Sequence, residues 1–187
     1  ASNLRTLTLR ECALARDDVL TTLNIGVRDC HDLRELDIDL IPEGQPVSHL
    51  DDILRSLGPA MSNHPSLKFF RIDSGRCLDQ AGGAALGACL SSNRVLEDVF
   101  IGCDEVTDSG ASALSAQFAS IQQRSLQSLR LKCSVMSEQA RQDFLEEPGQ
   151  NTNFPRCYVE YVPSAGNDEQ ATGENLNHVG RSQQISG

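Results

Sequence analysis

The feature that most constrains this chain of 187 residues is a recurring pattern of apolar residues at positions i, i+3 and i+5. Five clear instances and a weaker sixth begin at Leu4, Leu33, Leu67, Leu96, Leu126 and Phe154. The intervals between successive starting positions are nearly equal, apart from a longer one between Leu33 and Leu67. Such regular spacing indicates one structural unit repeated in tandem, because chance seldom places a pattern at near-equal intervals.

Each unit is predicted to contain a short strand followed by a helix. The last two apolar residues of the pattern are two apart, so they point to the same side of a strand. The apolar spacing then changes to about 3.6 residues, which is typical of an amphipathic helix. This spacing is clear in LDQAGGAALGACL from Leu78 and in VTDSGASALSAQF from Val106. Gly82 and Gly110, at matching positions, are expected to let each helix lie close to a neighbouring unit.

These units of about 30 residues, with their glycine- and alanine-rich helices, resemble the ribonuclease-inhibitor class of the leucine-rich-repeat family. The resemblance covers residues 1–162. It implies an α/β solenoid of about six strand–helix repeats, with a parallel sheet on the concave face and helices on the convex face. Residues 41–46, IPEGQP, are predicted to form a loop that lengthens the second unit. Residues 163–187 contain few apolar side chains and are predicted to be a disordered polar tail.

Charge and cysteine content narrow the function classes. The net charge of −10 argues against nucleic acid as a partner, because phosphate binding requires a cationic surface. The seven cysteines include no C-x-x-C pair, and there is no N-x-[ST] sequon and no apolar run long enough to span a membrane. These observations favour reduced thiols and a cytoplasmic location, without membrane contact.

The repeat register predicts which strand residues face away from the helices. The residues between the inward-pointing pairs form one row and the residues two positions further on form a second row, because neighbouring strands lie about 4.8 Å apart. The first row is Thr8, Asp37, Arg71, Phe100, Arg130 and Tyr158, and the second is Arg10, Asp39, Asp73, Gly102, Lys132 and Glu160.

These two rows are the candidate binding surface for another protein. Asp37, Asp39 and Asp73 make its middle acidic, whereas Arg130 and Lys132 make a later part basic. Aromatic and arginine side chains are the usual anchors of protein interfaces, so Phe100, Arg130 and Tyr158 are the predicted anchors. The oligomeric state is left open.

Patterns that would indicate catalysis or metal binding are weak. Asp37 and Asp39 could share acid–base work or a hard cation, but a solvated acidic patch is the favoured explanation. Asp51 and Asp52 are expected to favour the N-terminus of a helix through its dipole. The four histidines are scattered, no glycine is followed by a phosphate-binding Gly-Lys motif, and no cysteine has a histidine placed to activate it. The chain is therefore expected to have no catalytic residues, cofactor or metal site.

The resemblance implies a cytosolic role in protein recognition. The first interpretation is the ligand-sensing or autoinhibitory region of an innate-immune NOD-like receptor. The alternatives are the substrate-recognition region of an F-box ubiquitin-ligase adaptor and a scaffold repeat protein without a regulated switch. An upstream nucleotide-binding domain would favour the receptor, and an upstream F-box would favour the adaptor.

Overall fold

A computed structural model describes residues 3–12, 17–40, 50–118, 125–146 and 156–161. Within these residues the chain has an α/β fold in which strands and helices alternate. The strands are β1 (Thr6–Cys12), β2 (Glu35–Leu40), β3 (Phe69–Asp73), β4 (Cys77–Leu78), β5 (Asp98–Gly102), β6 (Glu105–Val106), β7 (Ser128–Cys133), β8 (Val135–Met136) and β9 (Arg156–Tyr161). The helices are α1 (Asp17–Asp29), α2 (Leu50–Ser62), α3 (Gln80–Ser92), α4 (Asp108–Phe118) and α5 (Glu138–Glu146).

Six strands form the larger sheet in the order β1-β2-β3-β5-β7-β9, and all of its pairs are parallel. Each strand thus pairs with the strand of the next unit, and the parallel arrangement that the repeat predicts is confirmed. The longer second unit does not change the register. Leu7 lies opposite Leu36, and Leu36 lies opposite Phe70 in the same way across the longer interval.

Backbone hydrogen bonds fix the register where each strand begins. The carbonyl oxygen of Arg5 accepts hydrogen bonds from the amides of Arg34 and Glu35, at 2.7 and 3.0 Å. The carbonyls of Arg34, Lys68 and Glu97 each accept an equivalent pair of bonds from the unit that follows. Since four successive units enter the sheet in this way, their strands start in phase.

The helices cover one face of this sheet. The inward-pointing side chains of β2, β3, β5 and β7 join the apolar side chains of the helices in one buried cluster. The pattern leucines Leu36, Leu67 and Leu129 have no exposed surface. Burial of such a side chain contributes about 1.5–3 kcal/mol relative to its exposure. The opposite face of the sheet is left without a layer of described residues over it.

A buried polar side chain joins successive units before β3 and again before β5. His64 Nδ1 accepts hydrogen bonds from the amides of Ser66 and Leu67 at 3.2 and 3.0 Å, and its Nε2 lies 3.1 Å from the carbonyl oxygen of Cys30. Asn93 occupies the equivalent position in the next unit and has the same role. Its Oδ1 accepts from the amides of Val95 and Leu96, and its Nδ2 donates to the Met61 carbonyl of the unit before. The two side chains therefore make the same connections with different chemistry.

A second sheet, of order β4-β6-β8, corrects the predicted start of the helices. Leu78 and Val106 were expected to open the helical spacing, but each lies in a two-residue parallel strand, as does Met136 in the next unit. The helices begin two residues later, after the capping residues Asp79, Thr107 and Ser137, whose side chains accept helix amides. A strand of two residues is too short to show a periodicity, so its apolar residue was counted as the first residue of the helical pattern.

The glycines of α3 and α4 allow a close helix contact, as the sequence predicts. A Cβ on Gly110 would lie 2.4 Å from the carbonyl oxygen of Leu78, and a Cβ on Gly83 would lie 2.2 Å from that of Gly110. Real Cβ atoms do not approach backbone oxygen so closely. Neighbouring units therefore pack backbone against backbone at this point.

Two predicted segments, the loop at residues 41–46 and the polar tail at residues 163–187, lie outside the described residues. None of the helices in the described part of the chain has the length and apolar character needed to cross a bilayer.

Candidate binding face

The two predicted rows lie on the sheet face opposite the helices, which we call the outer face. The strand register places Thr8, Asp37, Arg71, Phe100, Arg130 and Tyr158 side by side in that order. It places Arg10, Asp39, Asp73, Gly102, Lys132 and Glu160 side by side in the second row. The predicted neighbours are thus neighbours in the structure.

The outer face also carries a third row, which was not predicted from the sequence. On five strands it consists of the positions two residues before the first row: Thr6, Glu35, Phe69, Asp98 and Ser128. Its main feature is Phe69, whose surface is 42% exposed although its neighbour in sequence, Phe70, is in the core. The third row could have been predicted by extending the alternation of strand side chains two residues towards the N-terminus.

Phe100 is the centre of the outer face. The guanidinium carbon of Arg71 lies 4.6 Å from the centroid of its ring, and that of Arg130 lies 5.8 Å away. Both distances are within the range of cation–π attraction. The aromatic ring on β5 is therefore flanked by cations from β3 and β7, which holds three predicted site residues together.

Arg71 also joins this aromatic centre to the acidic part of the face. Its Nε lies 3.5 Å from Asp37 Oδ1, and its Nη2 lies 3.7 Å from Asp73 Oδ2. Asp37 receives a second cation, since Arg10 Nη2 lies 3.7 Å from its Oδ2. The carboxylate of Asp37 is mostly covered, at 16% exposed, whereas the Arg71 side chain is 52% exposed. Contacts of this length in partial solvent orient the side chains more than they stabilise the fold.

The glycine in the second row makes room for a carboxylate. A Cβ on Gly102 would meet the Asp73 carboxylate at 2.5 Å, so the side chain of Asp73 lies over β5 where that strand has none. The Asp73 carboxylate consequently covers the backbone of β5 at Gly102, which is buried.

Other predicted residues stand more alone. Among the residues that the structure describes, neither Asp39 nor Lys132 has an ion-pair partner, and Arg130 contacts Phe100 without a carboxylate. Tyr158 is half-buried at the far end of the first row. The acidic strands β2 and β3 and the basic strand β7 thus lie on opposite sides of Phe100, as predicted.

A second group of polar residues, away from this face, was only partly foreseen. Asp51 lies in the first turn of α2, as expected, but it is also buried against the start of α3. Its Oδ1 accepts a hydrogen bond from the Asp79 amide at 3.2 Å, and a Cβ on Gly82 would overlap it. Burial and, to a smaller extent, the hydrogen bond with the neighbouring Asp79 carboxylate raise the pKa of Asp51 to about 6. The same hydrogen bond lowers the pKa of Asp79, so the proton shared by the pair resides on Asp51. This pair connects the second and third units.

The thiols and possible metal ligands offer little reactive chemistry. Burial raises the pKa of the Cys89 thiol to about 12 and that of Cys133 to about 11, and it also raises the pKa of Cys103. These thiols remain protonated at neutral pH and are poor nucleophiles. The described residues contain no group of three or more His, Cys, Asp or Glu side chains placed to hold a metal ion.

Comparison with known proteins adds no relative. No model of a known protein family matches this chain, and a search of curated protein sequences gives no match either.

Proposed function

We propose that this chain is a leucine-rich-repeat solenoid that acts as a protein-interaction module without enzymatic activity. The near-equal repeat spacing and the parallel sheet in which each unit pairs with the next support the solenoid assignment. The placement of the helices on one face supports it further. A sheet covered on one side only leaves a row of side chains on every strand for recognition.

The observation that carries the binding function is the arrangement around Phe100. An aromatic ring flanked by Arg71 and Arg130 forms a continuous patch across three strands. Aromatic and arginine side chains supply most of the energy at protein interfaces, because they bury large areas in well-packed, desolvated contacts. The charged residues on either side favour a partner whose charges are arranged in the opposite sense.

The narrower context is the ligand-sensing or autoinhibitory region of a cytosolic NOD-like immune receptor. This part of the proposal rests on the class of repeat and on thiols that remain reduced in a cytosolic environment. In such a receptor the outer face would contact either the ligand or another region of the same protein.

Quantitative capture of partners from lysate tests the binding role. The parent chain is compared with Phe100→Ala and Arg130→Ala, and bound proteins are identified by mass spectrometry. Both substitutions should lower the yield of the same specific partners by about tenfold or more, because a central anchor is worth about 2 kcal/mol.

Arg94→Ala is the matched control, because Arg94 is an exposed arginine between α3 and β5 and belongs to none of the three rows of the outer face. Circular dichroism verifies that all variants remain folded. Partner yields that fall equally with Arg94→Ala, or that do not fall with either outer-face substitution, would contradict the proposal.

A further inference from the structure

The charges of the outer face are inverted about its midline, which runs between β3 and β5. Asp37 on β2 and Arg130 on β7 lie in the same row, one strand in from each end of the sheet. Asp39 and Lys132 are related in the same way in the second row. Asp37 and Asp39 are therefore matched by basic residues at equal distance on the other side of the midline. Glu35, Asp73 and Asp98 mirror the uncharged Ser128, Gly102 and Phe69.

The end strands follow the same rule. Arg10 on β1 and Glu160 on β9 occupy mirrored positions in the second row. At the midline itself, Arg71 on β3 mirrors Phe100 on β5, a cation opposite an aromatic ring. Wherever both mirrored side chains described on this face are charged, their charges are opposite.

We infer that the outer face binds the outer face of a second copy of this chain, about a two-fold axis parallel to the strands at the midline. Such an axis keeps the rows and reverses the order of the strands. Since each contact in a two-fold interface occurs twice, Asp39 of each copy meets Lys132 of its partner, and each Arg71 meets a Phe100.

The charges also select this axis over its alternative. A two-fold axis across the strands would place Asp37, Arg71 and Arg130 each against its own counterpart in the other copy. Like charges brought together in this way disfavour association. The axis along the strands replaces these repulsions with attractions.

Asp39 and Lys132 are the pair that best reports this contact. Asp37 already has Arg10 and Arg71 beside it, so a second copy changes its surroundings little. Asp39 and Lys132 have no ion-pair partner within the described part of the chain, and a second copy would supply one to each.

The expected association is weak and depends on concentration. Six strands about 4.8 Å apart and three rows span roughly 24 by 13 Å, or about 600 Å² over both copies, which is below the area of stable specific interfaces. The inference rests on the proposed role of the outer face as a docking surface. It goes beyond that role, because a dimer would cover the face and compete with any other partner.

Sedimentation velocity of the full chain at low salt, from about 1 µM to about 1 mM, tests the inference. The parent should form dimers as the concentration rises. Asp39→Lys and Lys132→Asp should each weaken the dimer about tenfold or more, because each places like charges together twice. An equimolar mixture of these two variants should dimerise again, since every altered contact then joins opposite charges.

Asp32→Lys and Arg94→Asp are controls with the same changes of charge at exposed positions outside the outer face, and they should dimerise like the parent. A parent that stays monomeric, a dimer indifferent to Asp39→Lys and Lys132→Asp, or a mixture that does not recover would each overturn the inference. If the parent stays monomeric while Phe100→Ala still loses its captured partners, only this inference fails. If it dimerises while capture is unchanged, the proposed function fails instead.

Discussion

Replacing Gly83 by alanine tests the backbone contact between α3 and α4. A Cβ at this position would lie 2.2 Å from the carbonyl oxygen of Gly110 and 3.0 Å from its carbonyl carbon. Ordinary contacts between such atoms are about 3.5 Å, so the two helices would have to separate by roughly 1 Å. Both clashing atoms belong to the backbone, and no rotamer change can relieve them.

The expected loss follows from two opposed effects. Overpacking of a well-packed contact costs about 1–3 kcal/mol, and a backbone clash belongs at the upper end of this range. Alanine regains up to about 1 kcal/mol through its higher helix propensity. The free energy of unfolding should therefore fall by about 2 kcal/mol, which lowers Tm by roughly 4–8 °C for a chain of this size.

Gly26→Ala is the matched control, because Gly26 is also a helical glycine but has nothing within 4 Å of its would-be Cβ. Only the gain in helix propensity applies there. Gly26→Ala should raise the free energy of unfolding by about 0.5–1 kcal/mol. The same chemical change is thus predicted to act with opposite sign at two positions.

Urea unfolding followed by circular dichroism measures both variants against the parent. The slope m is compared as well as the midpoint, because tandem units can unfold separately and an altered slope would reveal this. A Gly83→Ala variant as stable as the parent would refute the close approach of α3 and α4.

The remaining predictions concern buried polar groups. Burial raises the pKa of Asp51 from 3.8 to about 6, so the stability it contributes is present at low pH and lost as the pH rises through about 6. Urea midpoints of the parent should therefore fall relative to Asp51→Asn between about pH 4 and pH 7, and parallel curves would contradict this. Burial lowers the pKa of His64 from 6.5, so stability should fall as the pH drops below that value. His64→Asn, which places the side chain of Asn93 at this position, should remove this dependence of stability on pH. His64→Ala should lower the free energy of unfolding by about 2 kcal/mol, because it leaves two amides unpaired. Equal stability of the two variants would contradict this role of His64. A maleimide at neutral pH should modify the exposed Cys77 well before the buried Cys133, and equal rates would indicate that Cys133 is accessible.

The repeat allows the strands and the order of residues along the outer face to be predicted. Side chains alternate along a strand, so if Leu36 and Ile38 point inward, Asp37 and Asp39 must point outward. The parallel register then places Asp37 beside Arg71, because each unit has the same phase. Both predictions follow from the geometry of one strand repeated in every unit, and neither requires side-chain contacts to be known.

Contacts made between units by particular side chains could not be predicted in this way. The carboxylate of Asp51 at a helix start is explained by the helix dipole alone, and only the packing of α3 reveals that it is buried. His64 and Asn93 look unrelated in sequence, although they make equivalent hydrogen bonds. The register places Arg71 and Arg130 beside Phe100, but their distances to the ring, 4.6 and 5.8 Å, depend on side-chain rotamers.

Backbone carbonyls of one unit hold the start of the strand in the next unit, and this affects which insertions and substitutions the chain tolerates. The connection from β2 to β3 is longer than the connection from β1 to β2, yet Glu35 to Asp39 of β2 lie opposite Phe69 to Asp73 of β3 without a register shift. Residues can therefore be inserted or deleted after a strand without changing which side chains the rows of the outer face expose. Recognition and chain length are free to vary independently, and new specificity requires only point changes along the rows.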